Sequence, residues 1–383
     1  MIAEPLNVAV VHDWLVDHAG AEKVLEQILA LFPNAVLYTL IDRMPAAERA
    51  RLPSRRTVTS FLQRLPGVQR YFTRCLPLMP LAVQQFDLSG HDLIISSSHC
   101  VAKGVLVPPE ALHLCYCHSP MRYAWDMQAE YLQKEHLDRG IRSWLARRMF
   151  FKLRLWDAYT AHGVDHFAAN SHFVKQRILK TYRRQATVIH PPVQLAVAAG
   201  AEPAVRRPRH CITVGRLMGY KNVALMLDAF RLLPDWQLTV VGDGPQRAAL
   251  QAQAPPNVRF AGLVPEAEKQ RLLQAASVFV FAAIEDFGIA PAEALAAGIP
   301  VVALARGGAL DYLRHRDNAW LFQTATAQAL AQALLQSESE WPADVDQRCR
   351  NSVAGLSEAR FRAEFSAWVA THWEAWRRQA ATP

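Results

Sequence analysis

Ala276-Ser277-Val278-Phe279-Val280-Phe281 runs through Ala282-Ala283-Ile284 into Glu285-Asp286-Phe287-Gly288-Ile289-Ala290-Pro291-Ala292-Glu293. The short apolar run followed by a polar, glycine-containing turn reads as a buried strand, and residues 291–297 read as a helix. That reading places Glu285 on a strand-to-helix loop and Glu293 in the first turns of the helix. Such loops line the carboxyl edge of an open parallel sheet, where ligands bind. Two carboxylates at that edge suit a polyhydroxylated ligand, because each accepts hydrogen bonds from neighbouring hydroxyls.

The same punctuation recurs on both sides of this stretch. Upstream, Cys211-Ile212-Thr213-Val214-Gly215 is a strand followed by a helix over residues 222–232, and Leu238-Thr239-Val240-Val241 enters the turn Gly242-Asp243-Gly244-Pro245. Val258-Arg259-Phe260 and Pro300-Val301-Val302-Ala303 continue the series. The first half has strand signals at residues 6–11, 35–40, 93–96, 112–117 and 188–190, with helical spacing over 20–29, 123–132, 141–162 and 171–182. Alternating strands and helices imply an α/β fold with mainly parallel sheets covered on both faces. Residues 194–209, rich in Ala, Pro and Arg, separate the halves as a linker. The expected organisation is one Rossmann-like domain over 1–195, a second over 205–360, and a terminal helix over 361–383. In that helix Phe361, Phe365, Trp368 and Trp376 form one apolar face, which packing on protein or contact with a membrane would cover.

With 383 residues and 51% apolar content the chain can bury two cores, and its composition is neither disordered nor fibrous. A formal charge of +8 favours anionic partners, whether nucleotide, nucleic acid or acidic membrane. Two stretches concentrate the basic residues. One carries Arg51, Arg55, Arg56, Arg64 and Arg70; the other carries Arg142, Arg147, Arg148 and Lys152 around Trp144, Leu145, Met149, Phe150 and Phe151. The second reads either as an interfacial helix on anionic lipid or as a solvated helix packed on its own domain. Met1-Ile2-Ala3-Glu4-Pro5 leads into the first strand without a signal-peptide pattern, and no apolar stretch has the length of a membrane span. The six cysteines form no zinc or redox spacing, so a reducing, cytoplasmic setting is the default and no metal is expected.

Chemistry concentrates in a few loops. Gly215-Arg216-Leu217-Met218-Gly219-Tyr220-Lys221-Asn222 joins a strand to a helix: its glycines allow close backbone approach, and Arg216 and Lys221 can neutralise a diphosphate. Asn222 is placed to cap the helix and present its positive end to that anion. This is neither a P-loop nor a dinucleotide fingerprint, and turns and caps use the same residues. Gly242 and Val264 mark two further post-strand turns that offer backbone contacts to a base or ribose, and Gly307-Gly308 leaves room near phosphate or sugar unless it is a plain turn. In the first half, His118 follows a strand and precedes Ser119-Pro120-Met121-Arg122-Tyr123, where a histidine bridges substrate oxygens or moves a proton. Asp13 and Gly20 lie in the first post-strand loop of that half, with His12 and His99 as neighbours.

Taken together, Ala19-Gly20-Ala21-Glu22-Lys23-Val24, Gly215-Arg216 with Lys221, and Glu285 through Glu293 resemble the retaining family 4 glycosyltransferases over most of the chain. The resemblance implies the GT-B architecture, two facing Rossmann-like domains with a final helix returning to the first. It assigns Arg216 and Lys221 to the donor diphosphate, Glu293 to the ribose and Glu285 to the transferred sugar. Gly215, Gly242, Val264, Phe287, Gly288 and Ile289 join the donor-binding set, and Asp13, Gly20 and His118 form the acceptor side. Catalytic roles fall on His118, Arg216, Lys221 and Glu285. Ala19 stands where family loops often have a second glycine, and Asp311 where a glutamate is common.

Val10-Val11-His12-Asp13-Trp14-Leu15, Tyr116-Cys117-His118-Ser119-Pro120-Met121-Arg122-Tyr123 and Glu285-Asp286-Phe287-Gly288 look especially like bacterial mannosyltransferases. That likeness implies GDP-mannose as donor and a polyprenyl-diphosphate-linked or other lipid-linked glycan as acceptor in surface polysaccharide synthesis. The setting is cytoplasmic and peripheral on the inner face of the membrane, without cofactor or specific nucleic acid. The alternatives are another GDP-sugar or a UDP-sugar donor, glycogen-type transfer, a sugar-nucleotide epimerase, or a noncatalytic sugar-nucleotide-binding subunit.

Overall fold

The computed structural model describes residues 6–134, 137–195 and 207–380. The chain forms two compact units: residues through Pro192 joined by those from Glu358 on, and Val193–Ser357. Most of the expected linker, residues 196–206, lies outside the described residues, as does the side chain of Arg70.

The first unit is built on a seven-stranded sheet. Its strands are β1 (Val8–His12), β2 (Val36–Thr39), β3 (Arg56–Thr59), β4 (Leu93–Ser98), β5 (Leu112–Cys117), β6 (His166–Ala169) and β7 (Ala186–Val188), in the order β3-β2-β1-β4-β5-β6-β7. Every pairing is parallel. The central strands are mostly apolar and wholly buried on both faces, as a sheet covered on both sides requires, with His12, Ser96, Ser97, Ser98 and His113 as buried polar residues.

The second unit has six parallel strands: β8 (His210–Val214), β9 (Gln237–Val241), β10 (Val258–Gly262), β11 (Val278–Phe281), β12 (Val301–Leu304) and β13 (Ala319–Phe322). Their order is β10-β9-β8-β11-β12-β13. Each sheet is therefore doubly wound, with its order reversing once: between β1 and β4 in the first unit, and between β8 and β11 in the second. Chain reversal at these points leaves a crevice at the carboxyl edge.

Three strands lie outside the sequence reading. β3, β6 and β13 have four residues each, too few to show a period, and three of the four in β3 are polar. The helix expected over 123–132 is shorter, Gln128–Lys134, because the turns Ala124 N to Met121 O and Met127 N to Arg122 O occupy the segment before it. Past residue 350 the chain makes two helices, Val345–Val353 and Glu358–Ala380. The second packs on the helix Gly20–Leu31 and on β5, burying Phe361, Phe365, Trp368 and Val369 in the first unit's core. Burial of each such side chain contributes about 1.5–3 kcal/mol, which explains why a terminal helix stays attached. The membrane alternative for its aromatic face is thereby replaced by protein packing.

His113 on β5 is fully buried, with Nε2 2.9 Å from Ser96 Oγ and Nδ1 3.1 Å from the Gly163 carbonyl. Burial pushes its pKa down from 6.5 to about 4. Between those values the unfolded chain binds a proton that the folded chain refuses, so stability falls as pH drops below about 6.5. The expected loss is about 3 kcal/mol by pH 4 from this residue alone. Urea midpoints measured from pH 7 to pH 4 check it: a His113→Asn variant should show a flatter profile.

Candidate functional site

In the second unit the loops after β8, β9, β10, β11 and β12 leave the same edge of the sheet, and glycines let them nest. Gly215 N donates to Val241 O, Gly242 N to Gly262 O, and Leu217 N to Asp243 O. A side chain at Gly242 would lie 2.1 Å from Gly215 O, and one at Gly244 would lie 2.7 Å from the Leu217 backbone. Only glycine fits where two backbones approach so closely.

Across the switch point between β8 and β11, Lys221 Nζ donates to the Glu285 carboxylate. These side chains, 64 residues apart, are 16% and 17% exposed, so the pair is shielded yet reachable. A cation held at the mouth of a switch-point crevice is placed for an anionic ligand, and its carboxylate partner for a hydroxyl. Arg216 is exposed in the same loop. Glu293 sits within the helix Ile289–Ala296, buried, with Oε2 3.1 Å from Lys269 Nζ. Although burial works against a charged Lys269, Glu293 and Glu266 raise its pKa, so it remains a cation. Lys269 is the partner that the sequence reading missed, because nothing local links a helix at 266–275 to one at 289–296.

Other calls acquire different roles. Asn222 stands at the N-cap of its helix with a left-handed φ of 54° but makes no side-chain capping bond; its Nδ2 donates instead to Ala282 O, 2.9 Å away. It thereby ties the basic loop to the end of β11. The Phe287 ring is buried in the core, 5.2 Å from the ring of Tyr312, so only its backbone can serve a ligand. Gly288 caps the helix Ile289–Ala296 with φ 85°, its carbonyl accepting from the Tyr312 hydroxyl. Ile289 packs partly on the same core. Gly307 and Gly308 leave no open room. A side chain on either would meet Glu285 O at 2.7 Å or Asp286 O at 1.8 Å, so they serve close packing that holds the Glu285 loop. Val264 is half-buried in the turn after β10.

In the first unit, Asp13 stands at the switch point between β1 and β4. Its buried carboxylate accepts four backbone N–H groups: His99 at 2.7 Å, Cys100 at 3.0 Å, Val101 at 2.6 Å and Ala102 at 2.7 Å. With both oxygens engaged in this way, Asp13 shapes the loop after β4, at the edge where its contact with an acceptor was expected. Gly20 opens the helix Gly20–Leu31, where Glu22 Oε2 accepts from Ala19 N at 3.0 Å.

His118 lies directly after β5, and Nε2 is 2.8 Å from Ser97 Oγ. Ser97 Oγ is 3.1 Å from His12 Nδ1, and His12 Nε2 is 3.4 Å from Glu22 Oε1. Burial works to raise the Glu22 pKa, but the hydrogen bond and charge of His12, aided by His99, hold it below the usual carboxylate value. Burial, with His99 and His12 beside it, pushes the His118 pKa well below the ordinary histidine value. The Glu22 carboxylate accepts from His12 Nε2, and Ser97 Oγ bridges His12 Nδ1 and His118 Nε2. Held neutral by burial, the His118 imidazole keeps Nδ1 as the ring nitrogen not bonded to Ser97, and a neutral imidazole nitrogen can pair with a hydroxyl. Ser97 and Glu22 escaped the sequence reading as participants because they come from different elements.

Cys115 and Cys117 share one face of β5 as expected and are buried among Ala161, Phe167 and Val174. All six cysteines are free thiols, and that apolar lining explains the burial of this pair.

Residues 201–353 match the family described as glycosyl transferases group 1. The amylovoran biosynthesis glycosyltransferase AmsK of Erwinia amylovora is 28% identical over 183 residues, 44% of this chain and 44% of AmsK. The chain thus spans less than half the length of this relative. Anabaena HepE bound to UDP superposes with a TM-score of 0.67 at 16% identity, covering 96% of this chain and all of HepE. Sucrose-phosphate synthase of Thermosynechococcus elongatus gives 0.70 at 18% identity, covering 97% and 100%. The architecture is therefore GT-B, two Rossmann-like units with a C-terminal helix, and the chain is related to the sugar-nucleotide-dependent glycosyltransferases of that fold.

The expectation of GDP-mannose as donor is corrected. Structures of this fold that superpose on the chain are complexes with UDP, with UDP and glucose, and with UDP-glucose. The UDP-sugar alternative fits these findings better. The physical reason lies in the residues that suggested a nucleotide: a basic loop and two carboxylates suit any diphosphate and polyhydroxylated ligand, so they do not distinguish guanosine from uridine donors.

Proposed function

We propose that this chain is a retaining glycosyltransferase that moves a hexose from a UDP-sugar to a hydroxyl of a glycan acceptor. The observation that carries this reading is the Lys221–Glu285 pair across the β8/β11 switch point, beneath the nested glycine loops. Lys221 and Arg216 are assigned to the diphosphate, Glu285 to the transferred sugar and Glu293 to the ribose, with backbone contacts from Gly215, Gly242, Val264 and Phe287 through Ile289. In the first unit, His118 Nδ1 is assigned to a sugar hydroxyl, and Gly20 to close approach of the acceptor.

In the reaction, the bond from the anomeric carbon to the β-phosphate oxygen breaks as the bond to the acceptor oxygen forms on the same face. The acceptor proton passes to the departing phosphate oxygen, and the cationic loop stabilises the charge that develops there. No covalent role falls to Glu285, whose carboxylate is engaged with Lys221. The name of AmsK, a biosynthetic enzyme of amylovoran, supports a polysaccharide setting, and a lipid-linked glycan is the acceptor class retained.

A donor panel tests the reading. UDP-glucose, UDP-N-acetylglucosamine, GDP-mannose and GDP-fucose are each supplied with lipid-linked acceptors, and products are read by mass and anomeric linkage. The expected result is acceptor-dependent release of UDP and an α-linked product. Transfer from GDP-sugars alone would overturn the donor assignment. Conversion of free nucleotide sugar without acceptor would point to an epimerase, and binding without product to a noncatalytic subunit.

A further inference from the structure

The helix Gly140–Thr160 carries two stripes, of which its own unit buries one. Ser143, Ala146, Phe150, Leu153, Asp157 and Thr160 face inward and are buried. On the opposite side of the helix, roughly 180° round from that row, lies a second row. Here Ile141 is 73% exposed, Trp144 58%, Leu145 54%, Phe151 54%, Leu155 57% and Tyr159 77%. Single exposed apolar residues are ordinary, but six on one side of a helix, with Arg148 and Lys152 between them, mark an interaction surface.

Neighbouring chain extends the patch. Leu78 and Leu81 are 44% and 52% exposed, and a depression of about 470 Å³ joins Pro77 and Pro80 to Leu145 and Arg148. The inward stripe holds the helix in this orientation. Lys103 Nζ lies 2.7 Å from Asp157 Oδ1, and a side chain at Gly104 would sit 2.4 Å from the Trp156 ring. Hence the outer row cannot roll inward.

Arg142, Arg147, Arg148 and Lys152 are exposed on the same helix, and residues 141–156 contain no Asp or Glu. The patch is therefore apolar with cations of one sign. We propose that it docks this protein on an anionic lipid bilayer, with the helix lying in the interfacial plane. From Ile141 to Tyr159 the row is roughly 27 Å long. Trp144 and Tyr159 near its ends suit the headgroup level, while Arg148 and Lys152 within the row can extend their charges to lipid phosphates. Charged residues are depleted from the centres of protein interfaces, so this composition favours lipid over a protein partner. The inference stands apart from the transferase reading, since its readout is binding.

Co-flotation of the whole chain with vesicles tests it, using phosphatidylcholine alone and phosphatidylcholine with one-third phosphatidylglycerol. Flotation with the anionic vesicles is expected, and at least about tenfold less with the neutral ones. Phe151→Glu/Leu155→Glu and Arg148→Glu/Lys152→Glu should each lower binding about tenfold or more, with thermal midpoints unchanged because these side chains lie outside the core. Equal binding to both vesicles, no binding to either, or unchanged binding by both variants would overturn the proposal. So would a wild-type dimer that Phe151→Glu/Leu155→Glu splits, which would assign the stripe to a second copy of the chain.

Discussion

Replacing Lys221 with alanine is expected to lower turnover by about 10²–10³-fold, the usual loss when one preorganised charge-stabilising group is removed. Nζ is held by Glu285 across the switch point, so the ammonium is positioned before any ligand arrives. Charge on the β-phosphate oxygen grows as the glycosidic bond breaks, so the interaction strengthens towards the transition state and its removal falls on kcat more than on KM. Losing Lys221 also leaves Glu285 facing the diphosphate, which adds a repulsive contribution to donor binding. Lys221→Ala/Glu285→Gln separates the two effects: donor affinity should recover while turnover stays low. Rapid-quench turnover and donor Kd together check this. Unimpaired transfer by Lys221→Ala would remove the lysine from the leaving-group role.

The second large effect is on stability. Lys103 and Asp157 form a buried ion pair: Lys103 Nζ also reaches Asp157 O at 2.9 Å and Thr160 Oγ1 at 3.1 Å, while Asp157 accepts from Trp125 Nε1 at 2.7 Å and from the Tyr182 hydroxyl. Breaking such a pair strands a desolvated charge, so Asp157→Ala should cost about 3–5 kcal/mol. That is a large share of a domain's stability, typically about 5–15 kcal/mol. Lys103→Met/Asp157→Leu removes both charges and should recover most of the loss, because the expense lies in the unpaired charge rather than in the absence of the bridge. Urea unfolding of the three proteins measures this. A loss under about 1 kcal/mol for Asp157→Ala would show that the ammonium finds water or another partner. The same pair pins the inner side of the helix Gly140–Thr160, so weakening it should also weaken vesicle binding.

Much of the architecture was legible because its signals are local. Buried runs such as Val278-Phe279-Val280-Phe281 and the turn after them announce strand, loop and helix through periodicity and glycine placement alone. Doubly wound sheets follow from that alternation, since parallel strands need crossovers. Partners distant in sequence were missed. The four backbone donors to Asp13 come from residues 99–102, and the Asn222 side-chain amide bonds to the Ala282 carbonyl.

The residue sequence by itself determined the two α/β halves, the glycine loops and the spacing of Glu285 and Glu293, because backbone preference and hydrophobic period are properties of short segments. Tertiary structure alone decided that Lys221 meets Glu285, that Lys269 meets Glu293, and that Glu22, His12 and Ser97 are linked to His118. It also decided which stripe of the helix Gly140–Thr160 is left outside. The outer stripe carries most of that helix's large apolar residues, while the inner one is held by the docking of Asp157 on Lys103, Trp125 and Tyr182. Pairing and burial depend on where the chain returns in space, which local periodicity does not encode.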